Sequence, residues 1–373
     1  MANEHSQVAG TPREPSSLMI KGGHVLDSST MEFYVADILV RGETIVRIGK
    51  VRPPRGAAVL DARGYYVVPG LIDVHVHLFG SGMSAYRRGM PPPLATAMVN
   101  CKHLLRYGVT TVRSAGEWGD DPTPDLAINA QRHNWSFLCP RIVPAGKACD
   151  PSEDAVRDKT TLRQMIDEKV KSGAQWLKLM LGEEDRDIRP LLPWLQNHLR
   201  RKGLYSMCHA QIPWTDEVIA AGMNSIEHTF YMTHKSVESL GPHQFLVPTI
   251  VASEGESVEA TRWAWQLSKR IGVGSDAAIP GLPFAAALWK EMDTLMKCLG
   301  VSPMEVFRLA TAENAKLLRL PKVGTLREGH AADLLLLRKH MKHDLDALLD
   351  PWAVICRGQF AHAASPGSNH SMF

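Results

Sequence analysis

The chain has 373 residues, 22% of them charged and 45% hydrophobic, with a formal charge of only +3, the profile of an ordinary globular protein. That balance argues against bulk electrostatic capture of nucleic acid or of an anionic membrane, and no run approaches 18 uninterrupted apolar residues. The length exceeds a usual single domain and leaves room for one α/β barrel of about 200 to 250 residues plus a smaller module.

Residues 1–16 are polar, rich in Pro, Ser and Glu, and lack the apolar centre of a signal peptide, which predicts a disordered arm. The six cysteines, at 101, 139, 149, 208, 298 and 356, form no CxxC and no regular framework, predicting reduced thiols and a cytoplasmic protein. From Ser17 to about Pro69, short apolar runs (Leu18–Ile20, His24–Leu26, Ala36–Val40, Ile45–Ile48 and Val59–Leu60) alternate with turn signals such as Gly22–Gly23. From Leu71 onward the texture becomes strand alternating with helix, the pattern of βαβ units. Eight runs read as strands: 71–77, 108–113, 141–145, 175–180, 204–209, 225–228, 246–250 and 271–276. Helical spacing falls between most of them, at 94–106, 160–172, 190–201, 215–221 and 257–269, followed by a helix near 284–298 and one over Met304–Leu318 begun by Ser302–Pro303. The predicted fold is α/β, a (β/α)8 TIM barrel over 71–319. Val323–Leu337 and Trp352–Arg357 return to β-type sequence, so 17–70 and 320–362 are predicted to form a small β-sandwich built from both chain ends, with 363–373 a loose tail.

His75 and His77 close the first barrel run, and their two-residue spacing puts both imidazoles on one side of a strand. A His-X-His triplet arises often by chance, and most histidines are surface groups or hydrogen-bonded core residues. Further polar groups recur, however: Lys178 in the fourth run, His209 ending the fifth, His228 ending the sixth and Asp276 ending the eighth. Barrel strands present functional residues at their C-terminal ends, so five strands would deliver these groups to one rim. Taken singly, each has a bland structural explanation; together they predict a metal site.

The stretches Val68–Pro69–Gly70–Leu71–Ile72–Asp73–Val74–His75–Val76–His77, Gly108–Val109–Thr110–Thr111–Val112–Arg113, Ile226–Glu227–His228, Gly274–Ser275–Asp276, Ala310–Thr311–Ala312–Glu313–Asn314–Ala315 and Gly324–Thr325–Leu326–Arg327–Glu328–Gly329–His330–Ala331–Ala332–Asp333–Leu334 resemble the amidohydrolase superfamily, and within it the imidazolonepropionase-related and prolidase-like branch. The resemblance spans about Ser17 to Gly358. It implies a metal-dependent hydrolase acting on a non-aromatic C–N bond, whether amide, lactam, cyclic imide or Xaa-Pro-type dipeptide, through a hydroxide bridging two divalent metals, zinc by default. It also implies that Lys178 is carboxylated by CO2, with His75, His77, Lys178 and Asp276 around one metal and Lys178, His209 and His228 around the other. A lysine buried in a barrel loses its proton more readily, and the neutral amine can form a carbamate; pairing of Lys178 with an acid such as Glu183 is the plain alternative. Asp276 is the expected general base, and with only one metal bound His228 or His209 would polarise the carbonyl.

A mononuclear deaminase-like or imidazolonepropionase-like site is the chief alternative, and a non-catalytic scaffold of the same fold is a further one. Deaminase relatives commonly carry His-X-X-Glu on strand five, whereas His209 is followed by Ala210, Gln211 and Ile212. Prolidase-like relatives typically carry Gly-Gly-His after strand three, where this chain has Ala145–Gly146–Lys147–Ala148–Cys149–Asp150. Ser114–Ala115–Gly116–Glu117 is similar to enamidase-type relatives. Loop one carries Phe79, Tyr86, Arg87 and Arg88, and the strand-six loop Phe230 and Tyr231. Arg87, Arg88 and Tyr231 are predicted to contact a small-molecule substrate with a free carboxylate, although solvated arginines and packed aromatics account for them equally well. By family habit the protein is expected to be a homo-oligomer.

Overall fold

The computed structural model describes residues 17–79, 93–117, 123–132, 137–151, 158–182, 187–277, 284 and 286–363. The N-terminal β-rich stretch forms β1 (Ser17–Asp27), β2 (Glu32–Arg41), β3 (Thr44–Gly49), β4 (Ala58–Asp61) and β5 (Tyr66–Pro69). Gly22–Gly23, predicted as a turn, lies within β1 as a bulge: the β1–β2 register shifts between Ile20 and Gly23. Gly22 takes φ +71, open to glycine at little cost, and its N–H goes to the Asp37 carboxylate at 2.9 Å instead of to a ladder partner.

Next come β6 (Leu71–Val76), β7 (Val109–Ser114) and β8 (Arg141–Val143), parallel in one sheet, then β9 (Trp176–Leu181), β10 (Tyr205–Ala210), β11 (Ser225–Glu227) and β12 (Phe245–Val247), parallel in another. Every residue of β6 and of β7 is buried, as strands covered on both faces require. Helices fill the intervals: α1 (Pro93–Arg106), α2 (Pro124–Ala130), α3 (Lys159–Ser172), α4 (Leu192–Lys202), α5 (Trp214–Ala220), α6 (His234–Glu238) and α7 (Val258–Gln266), with α8 (Ala287–Leu299) after the last strand region. Cys149 N–H donates to Lys178 O at 2.8 Å and Met180 N–H to Cys149 O at 2.9 Å, joining the stretch after β8 to β9.

The predicted eighth strand, 271–276, forms only isolated bridges, Leu246 with Ile271 and Val76 with Ala277. Side chains take the N–H groups that a ladder would use. Val273 N–H goes to Asn314 Oδ1 at 3.0 Å and Ser275 N–H to Asp73 Oδ1 at 3.0 Å. Asn314 also donates through Nδ2 to Ile72 O and Val273 O, clasping this segment to β6. The helix predicted over Met304–Leu318 is observed as α9 (Pro303–Arg308), a π-helical turn at Leu309–Glu313 and α10 (Asn314–Leu317); the wide turn sets the approach of Asn314.

The chain ends in β13 (Leu334–Leu337), β14 (Ala353–Cys356) and β15 (Gln359–Ala363), which join the N-terminal strands in one sheet of order β15-β14-β13-β5-β1-β2-β3, with β4 against β1. Asp333 ties this sheet to the barrel strands, accepting from Arg141 Nε at 2.8 Å and from Arg357 N–H at 2.7 Å. One apolar cluster lies within the terminal sheet, around Ile20, Ile38, Leu334 and Ile355, and another among the parallel strands, around Val74, Trp176, Met207 and Phe245.

Candidate metal centre

β6 carries His75 to its C-terminal end, and His77 follows directly; both are buried. Glycine permits the crowding around them: a Cβ on Gly274 would lie 2.6 Å from the His75 Cβ, and one on Gly116 would lie 2.8 Å from the Lys178 Cβ. Asp276, held at φ +54, sets Oδ1 3.4 Å from His75 Nε2 and 3.3 Å from His77 Nε2, and Oδ2 3.7 Å from His228 Nδ1. Ring centroids step from His77 to His75 (5.5 Å), His75 to His228 (4.9 Å) and His228 to His209 (4.6 Å). Ligand atoms of His75, His228 and Asp276 all lie within 4.8 Å of one another.

The hydrogen bonds behind the rings decide what their inner nitrogens present. His75 Nδ1 lies 2.5 Å from Glu227 Oε2 and His77 Nδ1 lies 2.7 Å from Gly116 O, so each Nδ1 donates and each Nε2 turns a lone pair toward Asp276. His75 Nε2 and Asp276 Oδ1 are buried with no hydrogen-bond partner among the described residues. Burial and the Lys178 charge would lower the His75 pKa, but Asp276 and Glu227 raise it, so a positive charge is favoured between these groups, and the donor set fits a cation there.

Lys178 is 1% exposed and its side chain makes no hydrogen bond or ion pair among the described residues; burial, with help from Arg113, draws its pKa below the ordinary lysine value. Its charge in turn lowers the pKa of His77, His209 and His228, although burial is the larger cause in each, and His209 is brought to about 3. These imidazoles are therefore neutral at physiological pH. Burial would raise the Asp276 pKa, but His75, whose own pKa is raised, leads the neighbours that hold it well below the usual carboxylate range.

Of the predicted site residues, His75, His77, His228 and Asp276 converge by measured distance, His209 joins by ring contact with His228, and Lys178 is coupled to the imidazoles electrostatically. Arg87, Arg88, Tyr86 and Glu183 lie outside the described residues. Tyr231 is 57% exposed, whereas Phe230 stacks on His228 at 5.3 Å and meets His209 edge-on at 5.7 Å.

Several supporting residues, Glu117 apart, were not given a role from the sequence. Glu227 accepts from His75 and from Arg113 Nη2 at 2.9 Å through both oxygens, and also from the Ser225 hydroxyl. Arg113 donates Nε to Val74 O and lies over the Trp176 ring at 4.7 Å. Thr249 Oγ1 is 2.8 Å from His228 Nδ1, and buried Glu117 accepts from Leu78 N–H at 2.6 Å and Phe79 N–H at 3.3 Å. The available signal was a charged residue inside an apolar barrel run, which Arg113 and Glu227 both are.

Residues 66–360 match the Amidohydrolase family. The chain is 28% identical over 345 residues to imidazolonepropionase of Streptomyces griseus, covering 81% of this chain and 85% of that one. It is 25% identical over 341 residues to adenine deaminase of Bacillus velezensis, covering 88% of this chain but 55% of the deaminase. Among solved structures it is similar to a Xaa-Pro dipeptidase with methionine bound in its active site, at TM-score 0.80 and 22% identity, covering 92% of this chain and 99% of that one. Ochratoxinase of A. niger gives TM-score 0.77 at 18% identity, covering 95% and 97%. These likenesses establish a TIM-barrel-like α/β fold. With its buried imidazoles and carboxylate disposed as such a site requires, the chain belongs to the amidohydrolase family and is a metal-dependent hydrolase of carbon–nitrogen bonds.

Proposed function

We propose that the protein hydrolyses an amide, lactam, cyclic imide or Xaa-Pro-type dipeptide bond of a small molecule, with His75, His77 and Asp276 holding one divalent cation, His209 and His228 a second, and carboxylated Lys178 bridging them. Zinc is the proposed metal. The observation that carries this reading is the pair of buried, unpartnered acceptors on His75 and Asp276 at the focus of the imidazoles. A cation pair at such a site supplies an activated water and polarises a carbonyl. Asp276, ionised and close to three imidazoles, accepts the proton released by the attacking water and returns it to the leaving nitrogen. Thr249 Oγ1, 2.8 Å from His228 Nδ1, holds that ring so that its other nitrogen can ligate, and burial keeps the ring neutral; with a single metal bound, His228 or His209 would polarise the carbonyl instead. Phe230 supplies apolar wall beside His209 and His228, and Tyr231, with Arg87 and Arg88, is proposed to bind the rest of the substrate.

The same reading takes the two parallel sheets and the 271–277 segment as one closed (β/α)8 barrel over 71–319, and 17–70 with 320–362 as a β-sandwich module. The links between β6 and 273–277, Val74 N–H to Val273 O at 3.2 Å and Asp276 N–H to His75 O at 2.8 Å, support closure. Six free cysteines support a cytoplasmic setting. A homo-oligomer is proposed as well, to be tested by sedimentation.

A single-metal site is the second reading, favoured by the compact triad of His75, His228 and Asp276. Elemental analysis with activity assays separates the two. About two equivalents of metal per chain, falling to about one with most hydrolysis lost in Lys178→Ala, is the expected result. One equivalent in both proteins would establish the mononuclear site. Hydrolysis of N-acyl amino acids, Xaa-Pro dipeptides and small cyclic amides by the metal-loaded enzyme assigns the substrate class.

A further inference from the structure

The opposite end of the parallel strands carries a second built cavity. Tyr205 opens β10, Asn224 precedes β11 and Arg270 precedes the Ile271 bridge, so these residues sit at the N-terminal mouth, away from the imidazoles. They border a cavity of about 650 Å³ that continues into a smaller one of about 130 Å³, the two sharing Tyr205, Asn224, His243 and Arg319. The larger volume is that of a small-molecule site. Arg200, Arg270, Lys316 and Arg319 line the two cavities, and no carboxylate does.

Two of these cations lack any counter-charge in contact. Among the described residues neither Arg270 nor Arg319 has an ion pair or a side-chain hydrogen bond, and Arg319 lies over the Tyr205 ring at 4.7 Å. Arg270 and Arg319 both line the smaller cavity; partial burial of Arg270, and after it the charge of Arg319, draws the Arg270 pKa below the usual arginine value, with Glu313 acting the other way. Lys316 differs, being paired with Glu313 at 2.9 Å.

A neutral donor is oriented beside them. Asn224 Oδ1 receives Ser206 N–H at 3.1 Å and Gln196 Nε2–H at 3.3 Å, while the Ser206 hydroxyl donates to Gln196 Oε1 at 2.8 Å. Those donors fix the amide, so Nδ2, which has no partner among the described residues, is left to donate to a ligand. Guanidinium forks, a fixed amide donor and an aromatic wall form a receptor for a small dianion.

We infer that the cavity at the N-terminal mouth of the strands, between Arg270, Arg319 and Asn224, is a second ligand site that binds a small molecule bearing a dianionic head, a phosphate monoester or a pair of carboxylates. It is separate from the proposed metal centre and does not depend on the substrate assigned there.

Calorimetric titration of the metal-loaded full chain with sodium sulfate, inorganic phosphate and succinate, at constant ionic strength, tests this. The expected result is saturable binding of one equivalent of at least one probe, weakened tenfold or more in Arg270→Ala and in Arg319→Ala and unchanged in Arg262→Ala, which alters an exposed arginine elsewhere. A preference for phosphate and sulfate over succinate, or the reverse, identifies the head group. Asn224→Asp keeps the acceptor that Ser206 and Gln196 use but adds a negative charge to the cavity, and should abolish binding while leaving the melting temperature within a few degrees. Absence of saturable binding, or binding that survives both arginine variants, overturns the inference. So does concentration-dependent self-association that Arg319→Ala abolishes, since a second copy would then occupy the cleft.

Discussion

Glu227 is a fully buried carboxylate, and burial alone would push its pKa up; Arg113 first, then His75, reverse the direction and keep it ionised. The ionised form is the one that can accept the His75 Nδ1 proton, so a guanidinium on β7 sets the tautomer of an imidazole on β6 through an acid on β11. Removing one partner of such a pair strands a buried charge and costs about 3–5 kcal/mol. Arg113→Met is therefore expected to lower the unfolding free energy by about that amount, and Arg113→Met with Glu227→Gln by less than the sum of the two single changes. Chelator competition on folded Glu227→Gln should show metal affinity reduced roughly 10- to 100-fold, because the group orienting His75 is weakened. Unaltered affinity would reduce the Arg113–Glu227 pair to a structural role. The candidate ligands were legible in the sequence because each ends or interrupts an apolar run. Their supports were less so: the contact between Glu227 and His75 joins residues 152 apart and appears only once the strands are laid side by side.

At the scale of elements, α8 reaches back to the segment after β12. Buried Glu291 accepts Ile250 N–H at 2.7 Å and Val251 N–H at 2.9 Å, fixing the backbone beside Thr249, whose hydroxyl meets His228. Burial raises the Glu291 pKa to about 7, with smaller contributions in the same direction from Asp73 and Asp276. The unfolded chain would titrate it near 4.5, so between these values the native state binds more protons than the unfolded state. Stability from this residue is then fully present below about pH 4.5 and is lost as pH rises through about 7, a change of about 3 kcal/mol. Urea unfolding from pH 5 to 8 should show that decline in the wild type and not in Glu291→Gln, whose baseline stability is lower by about 1–3 kcal/mol because an amide N–H2 faces a backbone N–H. Parallel slopes in the two proteins would contradict the assignment. Helices and strands with strong periodicity were readable to within a residue or two, as 160–172 against Lys159–Ser172 and 175–180 against Trp176–Leu181. The eighth run was not, since Asp73 and Asn314, far away in sequence, take its N–H groups.

Across the whole molecule, the chain ends meet: β13 pairs with β5 in antiparallel register from Leu334 opposite Pro69 to Leu337 opposite Tyr66, and β5 runs almost directly into β6. The last strands therefore brace the first barrel strand, the one that carries His75. Composition and turn signals disclosed that both ends were β-rich; that β1 to β5 and β13 to β15 make one sheet depends on pairings between residues more than 260 apart, which local patterns do not encode. The central claim is that side chains from distant strands close around cations at one rim. Anomalous diffraction at the zinc edge from crystals of the metal-loaded protein tests it directly. The account predicts two peaks, with His75, His77, His209 and His228 nitrogens at about 2.0–2.1 Å and Asp276 at about 2.0–2.2 Å from one or the other. Metal bound elsewhere, with these side chains unligated, would contradict it.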